Sequence, residues 1–386
     1  MHHVVYRALP PNAAMTPADP LAAVTHPDPY PYYRALAARQ PFFRHEALGL
    51  WVAAGAAEVA AVLAHPDCRV RPPAQPVPPT LAGTAAGELF GRLIRMNDGA
   101  AHAPLKGILM RLMANIDPAV AMTRAAALAD AIGGSDVDAA GVKRWIFTLP
   151  VVAVADLLGM PVAASGNAAE VASQVAAYAA SQSPLASAAE VQAGADAAHW
   201  LAQWLLDADP SSTGLLPALQ SAAQQADVDP AAVAANAIGL MVQACEATAG
   251  LAGNSLVRLG REPALLARQD AAALHALVAR VARDDPPVQN TRRFLAADAL
   301  LCGVPVSAGD AVLVLLAAAS HDDSHAPSER PWTFGAGRHA CPGDALAQAL
   351  AAATVAALLA RGAQPARLVQ SLRYRPSLNA RIPQFS

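Results

Sequence analysis

Charge is scarce in this chain. Only 15% of its 386 residues are Asp, Glu, Lys or Arg, too few to hold a polypeptide open by self-repulsion, and the 54% that are hydrophobic supply a large core. The charges nearly cancel as well. A formal net charge of −3 argues against a partner held chiefly by electrostatic attraction, so neither nucleic acid nor a membrane surface is expected. Cysteine is equally thin: Cys68, Cys245, Cys302 and Cys341 include no C-x-x-C pair, which excludes a disulfide scaffold and a local zinc site. No Gly/Ser-rich or Pro-rich linker divides the interior, so residues 1–386 read as one domain. The first twenty residues, MHHVVYRALPPNAAMTPADP, lack the apolar core of a secretion signal. The later apolar stretches are broken by Gln, Glu or Arg before reaching membrane-spanning length, and a cytoplasmic protein is expected.

What is present is alanine and leucine at helical spacing, which predicts a mainly α architecture with small β-sheets. The β-rich pieces are LGLWVAA near residue 50 and VLVLLAAA near residue 312. The segment 69–83, RVRPPAQPVPPTLAG, holds too much proline for a helix or a central strand and reads as an extended edge that could cover a ligand. A long helix is expected from Pro230 to Arg258, capped by Asp229, begun by Pro230 and ended by Gly260. At its middle, where burial is deepest, Gln243, Cys245, Glu246 and Thr248 interrupt the apolar pattern, and buried polar groups require partners or a purpose. A further helix runs from Ala271 to Arg283 and is stopped by DDPPV; a last one runs from Asp344 to Arg361 and ends at Gly362.

Cys341 stands in TFGAGRHACPGD, just ahead of that last helix. Gly335, Gly337 and Gly343 allow tight or left-handed backbone and the close approach of a flat ligand. The helix start offers free amide hydrogens and a positive dipole end, which favours thiolate over thiol, and Arg338 and His339 add cationic or hydrogen-bonding groups. Such a sulfur is a nucleophile, a metal ligand or, in the plainer alternative, a buried structural cysteine. Haem iron needs only one ligand of this kind from one side.

FGAGRHACPG resembles the haem-binding signature of the cytochrome P450 superfamily, Phe-x-x-Gly-x-x-x-Cys-x-Gly, at every fixed position. The likeness extends along most of the chain: DPYPYYRALAARQPFFRHEALGLWVAA is similar to the family's first helix and sheet, VVAVADLLGMP to a helix before the substrate lid, and DPPVQNTRRF to the exit of its K helix. The resemblance implies the triangular, mainly helical fold of that family and haem b, iron protoporphyrin IX, held by Cys341 as metal ligand with Phe334 and Gly335 in the same loop. It puts His102, Lys106, Arg293 and His339 where bacterial members face the haem propionates, although Lys at 106 lacks the bidentate fork of Arg. It places substrate contacts at Gln243, Ala244, Ala247 and Val288, in the segment 71–83 and in the variable helices between 163 and 205. It also implies a ferredoxin or flavodoxin donor docking on the cysteine side.

Two departures stand out. The family's central helix carries an acid followed by a threonine that relays protons to dioxygen; here QACEATAG keeps the acid, Glu246, puts Ala247 where the alcohol belongs and sets Thr248 one residue later. One residue turns a side chain by about 100° around a helix. Glu246 and Thr248 are therefore the candidate proton-handling residues, with ion pairing to a nearby cation as the alternative for Glu246. Second, the K helix should present Glu-x-x-Arg and presents Arg280-x-x-Arg283, while the stretch from His321 to Phe334 is shortened. Arg280 is expected to face solvent or pair with Asp284, and Arg283 to bind backbone carbonyls. The function expected is a monooxygenase-type haem-thiolate oxidoreductase acting on a small or medium organic molecule, in bacterial specialised metabolism. The alternatives are a haem isomerase, dehydratase, peroxide user or bond-forming catalyst, and a non-catalytic binding relic.

Overall fold

A computed structural model describes residues 16–160, 162, 166–207, 213–326 and 328–386. Most of the N-terminal stretch read for a secretion signal, and the start of the variable region at 163–165, lie outside the described residues.

Helices dominate, as expected, and among the described residues nine short strands make three small sheets: β1 Phe42–His45, β2 Leu50–Ala53, β3 Cys68–Arg69, β4 Thr291–Leu295, β5 Ala299–Leu301, β6 Val304–Val306, β7 Ala311–Val314, β8 Arg373–Tyr374 and β9 Pro383–Gln384. The main sheet has the order β1-β2-β7-β4-β3, and β2 runs parallel to β7, so residues 261 positions apart meet at its centre (Trp51 opposite Val312). Its alternate side chains go to two different cores: Ala53, Val312, Val314 and Leu295 to one face, Leu50, Val52, Leu313 and Leu315 to the other. This double burial explains the near-continuous apolar run of β7. The strand stops at Val314, and the alanines that follow form a short helix, Leu316–Ser320, rather than more strand.

The long helix spans Pro230–Arg261, 32 residues, or about 48 Å at 1.5 Å each. Asp229 caps it by accepting from the Ala231 amide at 2.9 Å. Gly260 does not end it. That glycine lies inside the last turn, where a Cβ would meet the Pro365 carbonyl oxygen at 2.4 Å, so its role is close packing against the C-terminal segment. By length and composition this helix could cross a membrane, contrary to the sequence expectation, but most of it is buried inside the protein, against helices Ala139–Leu158, Ala168–Ser181, Ala271–Asp284 and Asp344–Ala360. Helix Ala271–Asp284 is capped by Asp270 and stops just before Pro286 and Pro287. Helix Asp344–Ala360 follows the cysteine loop, and the chain turns away through Gly362 at φ +89°.

Candidate functional site

The loop before Asp344 owes its shape to two left-handed glycines, Gly335 at φ +66° and Gly337 at φ +63°. A Cβ on Gly337 would also press on the Leu63 carbonyl oxygen at 3.3 Å. The Cys341 amide closes the loop by donating to the Phe334 carbonyl at 2.8 Å, while the Phe334 side chain packs against the main core. The Gly343 amide lies close enough to the Cys341 thiol to favour its charged form.

The electrostatics of this sulfur differ from the sequence expectation. Burial pushes the thiol up, and the Gly343 amide, Arg330 and Lys106 only partly oppose it, so the helix start alone does not produce a thiolate. Arg338 and His339 do not serve the sulfur either. Arg338 donates to the carbonyls of His65 at 3.0 Å and Cys68 at 2.8 Å and pairs with Asp98 at 3.2 Å. His339 Nε2 lies 2.9 Å from the same Asp98 oxygen. The cations beside the cysteine are Lys106, whose Nζ donates to the Ala340 carbonyl, and Arg330, which donates to the Cys341 carbonyl and pairs with Asp344 at 3.0 Å.

Asp98 organises a second group. It accepts from His339, Arg338 and the Val70 amide, which together hold its carboxyl well below the usual carboxylate range against the opposing cost of burial. His102, 4% exposed, lies with its ring centre 4.4 Å from that of His339, and burial followed by the charges of His339 and Lys106 lowers it to about 4. Arg293, 5% exposed, donates through Nη1 to the Arg292 carbonyl at 2.8 Å and the Thr291 hydroxyl at 3.3 Å, while its Nε is buried with no partner. Thus His102, Arg293 and His339 gather around Asp98, and Lys106 goes instead to the cysteine loop. Among the described residues no three His, Cys, Asp or Glu side chains form a metal cage.

The middle of the long helix opens on one side. Gln243 is exposed although Val242, Ala244 and Cys245 beside it are buried; Ala247, one turn on, is partly exposed, and Thr248 is only 2% exposed. Residues 243 and 247 share a face and 248 does not, which is the rotation expected from the sequence. Gln243 donates to the Gly239 carbonyl at 3.3 Å. Glu246 pairs with Arg375 at 3.0 Å, the alternative role considered for it. Val288 is partly buried; its amide donates to the Thr333 hydroxyl at 3.2 Å, tying the exit of helix Ala271–Asp284 to the cysteine loop. Arg280 is exposed and Arg283 donates to the carbonyls of Ser328 at 2.5 Å and Glu329 at 2.6 Å, as expected.

Four site residues escaped the sequence reading: Asp98, Arg330, Arg375 and Arg95. Arg95 lies in the turn Ile94–Met96, donates to Gln182 Oε1, and has a buried Nε with no partner among the described residues. Each acts through a partner distant in sequence, so no local pattern marks it.

No family model matches the chain. Over 154 residues it is 32% identical to "Putative cytochrome P450 140" of Mycobacterium tuberculosis, a match covering 36% of this chain and 35% of that protein. Over 156 residues it is 30% identical to the biotin biosynthesis cytochrome P450 of Bacillus subtilis, covering 37% and 39%. The matched segments thus span little more than a third of these curated relatives. Among solved structures, the cytochrome P450 enzyme CxnD, for C–S bond formation in chuangxinmycin biosynthesis, aligns with TM-score 0.74 at 17% identity, covering 94% of each chain. P450BioI in complex with a hexadec-9Z-enoic acid-ligated acyl carrier protein aligns with TM-score 0.71 at 21% identity, covering 93% of this chain and 98% of that one. At those identities the structural likeness is one of fold. Over nearly its whole length the chain therefore has the cytochrome P450 fold, and over little more than a third of it the sequence is similar to curated cytochromes P450.

Proposed function

We propose that the protein is a haem-thiolate oxidoreductase of the monooxygenase type, cytoplasmic, acting on a small or medium organic molecule in bacterial specialised metabolism. The observation that carries this reading is the glycine-shaped loop that presents the Cys341 thiol to the Gly343 amide. The residues fit haem b. Cys341 would supply one sulfur ligand, as thiolate, and the Gly343 amide would steady its charge. Arg293, with a buried Nε lacking an acceptor, and His102 beside His339 suit the two propionates. Lys106, already on the Ala340 carbonyl, braces the loop. When bound, haem would supply the redox chemistry of dioxygen activation.

The open face of Gln243 and Ala247, with Ala244 and Val288, forms the substrate wall. Thr248 is turned away from it, so the long helix brings no hydroxyl to that face beside Gln243 and Ala247, and the neighbouring carboxylate, Glu246, is paired with Arg375. Electrons come from a ferredoxin or flavodoxin docking on the cysteine side, where Arg338 and Arg330 lie.

The test is an absorption spectrum of the purified protein, reduced and exposed to carbon monoxide. A thiolate-type, red-shifted Soret band that disappears in Cys341→Ala is expected; a colourless protein, or a band unaffected by that change, overturns the proposal. A second reading, a peroxide-using, redox-neutral or bond-forming haem enzyme, is favoured by Ala247 and by the tie of Glu246 to Arg375. Turnover that persists without dioxygen and reductant would select it.

A further inference from the structure

The turn Ile94–Met96 rests on the long helix at Asn236, whose Oδ1 accepts from the Ile94 amide at 2.9 Å, two turns before Gln243, and Arg95 in that turn is the least explained cation there. Arg95 is only partly exposed; among the described residues its Nε is shielded from solvent and without an acceptor, and the one partner of its guanidinium is the neutral amide oxygen of Gln182. Among the described residues no carboxylate stands within ion-pair distance of it. Its principal electrostatic neighbours are Tyr178 and Glu246, and Glu246 is already engaged by Arg375 at 3.0 Å. Two guanidinium groups therefore share one carboxylate on this side, leaving one positive charge uncompensated. A guanidinium keeps its charge at any accessible pH, so it cannot escape burial by losing a proton. It needs an anion.

The haem propionates are not the best candidates for that anion. Arg293 and His339, the groups suited to propionates, share Asp98 as their electrostatic neighbour, whereas Arg95 answers to Tyr178 and Glu246, on helix Ala168–Ser181 and the long helix. The two cationic groups are separately wired. A fork of N–H donors, one of them unused and dry, beside a side-chain amide is the recognition chemistry of a carboxylate.

We infer that Arg95, assisted by Gln182, binds the carboxylate of the substrate, so that this enzyme acts on an organic acid rather than on a neutral hydrocarbon or polyketide-like molecule. This deepens the proposed function, because it takes the open side of the long helix as the substrate wall. The acid group is held at the turn Ile94–Met96 and the apolar remainder lies along Ala244, Ala247 and Val288.

The test compares phenylacetate, decanoate and indole-3-carboxylate with their primary amides, titrated into the holoprotein by calorimetry. At least one acid is expected to bind roughly tenfold or more tightly than its amide, because the amide leaves the buried cation unneutralised. Arg95→Gln should remove that preference while leaving haem content unchanged, and Arg95→Lys should retain part of it. If the glutamine variant does not fold, a several-fold loss in the lysine variant, with haem retained, is the result expected. No acid preferred over its amide, a preference that survives Arg95→Gln, or loss of haem from either variant would overturn the inference, the last assigning Arg95 to the propionates. A thiolate Soret band without acid preference sinks this inference alone; a colourless protein that still prefers acids sinks the haem reading alone.

Discussion

His102 carries a consequence for acid stability. Burial first, then the charges of His339 and Lys106, lower its imidazole from 6.5 to about 4. Between those two values the unfolded chain takes up a proton that the native protein refuses, so the stability His102 contributes is present above pH 6.5 and is lost as the pH falls toward 4. Asp98 is depressed too, and its contribution is lost in a lower window, beneath its ordinary value of 3.8. The two windows can be separated. In His102→Gln the urea midpoint should fall less steeply between pH 7 and 4 than in the parent, with His339 and His321, also lowered by burial, keeping part of the slope. Below that range the two proteins should decline together. Identical slopes throughout would show that His102 titrates as it does in the unfolded chain.

At the scale of the helix, the same substitution has opposite signs at two glycines. Alanine at a helix interior is favoured over glycine by about 1 kcal/mol. At Gly107, in helix Ala103–Ala114, an added Cβ meets nothing nearer than the tip of Arg111 at 3.6 Å, so Gly107→Ala should stabilise by about 0.5–1 kcal/mol. At Gly260 the Cβ would lie 2.4 Å from the Pro365 carbonyl oxygen and 2.7 Å from Val369 Cγ1. Backbone there cannot swing aside as a side chain can, so Gly260→Ala should cost about 1–3 kcal/mol net, read from denaturant midpoints. A stabilised Gly260→Ala would mean that the last turn of the long helix stands free of the C-terminal segment. The same packing explains why the helix runs on past Gly260: the glycine is needed for contact, not for a turn.

Across the whole molecule, Arg381 joins three distant parts of the chain. It is wholly buried, pairs with Asp285 at 2.8 Å, donates to the carbonyls of Val24, His26 and Pro27, and sets its guanidinium 3.5 Å from the ring centre of Tyr374. Tyr30 donates to the same Asp285. The N-terminal segment, the exit of helix Ala271–Asp284 and the C-terminal strands are thus fastened at one point, close to where Val288 meets the cysteine loop. This chain lacks the Glu-x-x-Arg pair, and Arg381 provides a buried ion pair one residue beyond that helix. Arg381→Met should cost about 3–5 kcal/mol, because Asp285, only partly exposed, would be left charged without its partner and the carbonyls of Val24, His26 and Pro27 would lose their donor. Arg280→Glu, which puts at an exposed position the acid that the P450 resemblance leads one to expect, should change stability by less than about 0.5 kcal/mol. A large gain from it in urea unfolding would show that Arg283 can leave the Ser328 and Glu329 carbonyls for an acid at 280.

Patterns that act over a few residues were legible before any coordinates. Asp229 and Pro230 begin a helix, Pro286 stops one, and the glycines around Cys341 fix a loop, because caps, missing amide hydrogens and left-handed dihedrals are local constraints that each residue carries with it. The face occupied by Gln243 and Ala247, and the displacement of Thr248 from it, followed from helical geometry alone. The sequence likewise determined that two arginines stand at 280 and 283. Only the tertiary structure decided where charges meet: that Lys106 serves the Ala340 carbonyl, that Asp98 gathers Arg338 and His339, that Glu246 finds Arg375, and that Arg95 is left with a neutral partner. Electrostatic energy depends on distance in space and on how much water has been removed, and neither quantity is written in the spacing of residues along a chain. Burial raised the Cys341 thiol against the pull of its helix for the same reason.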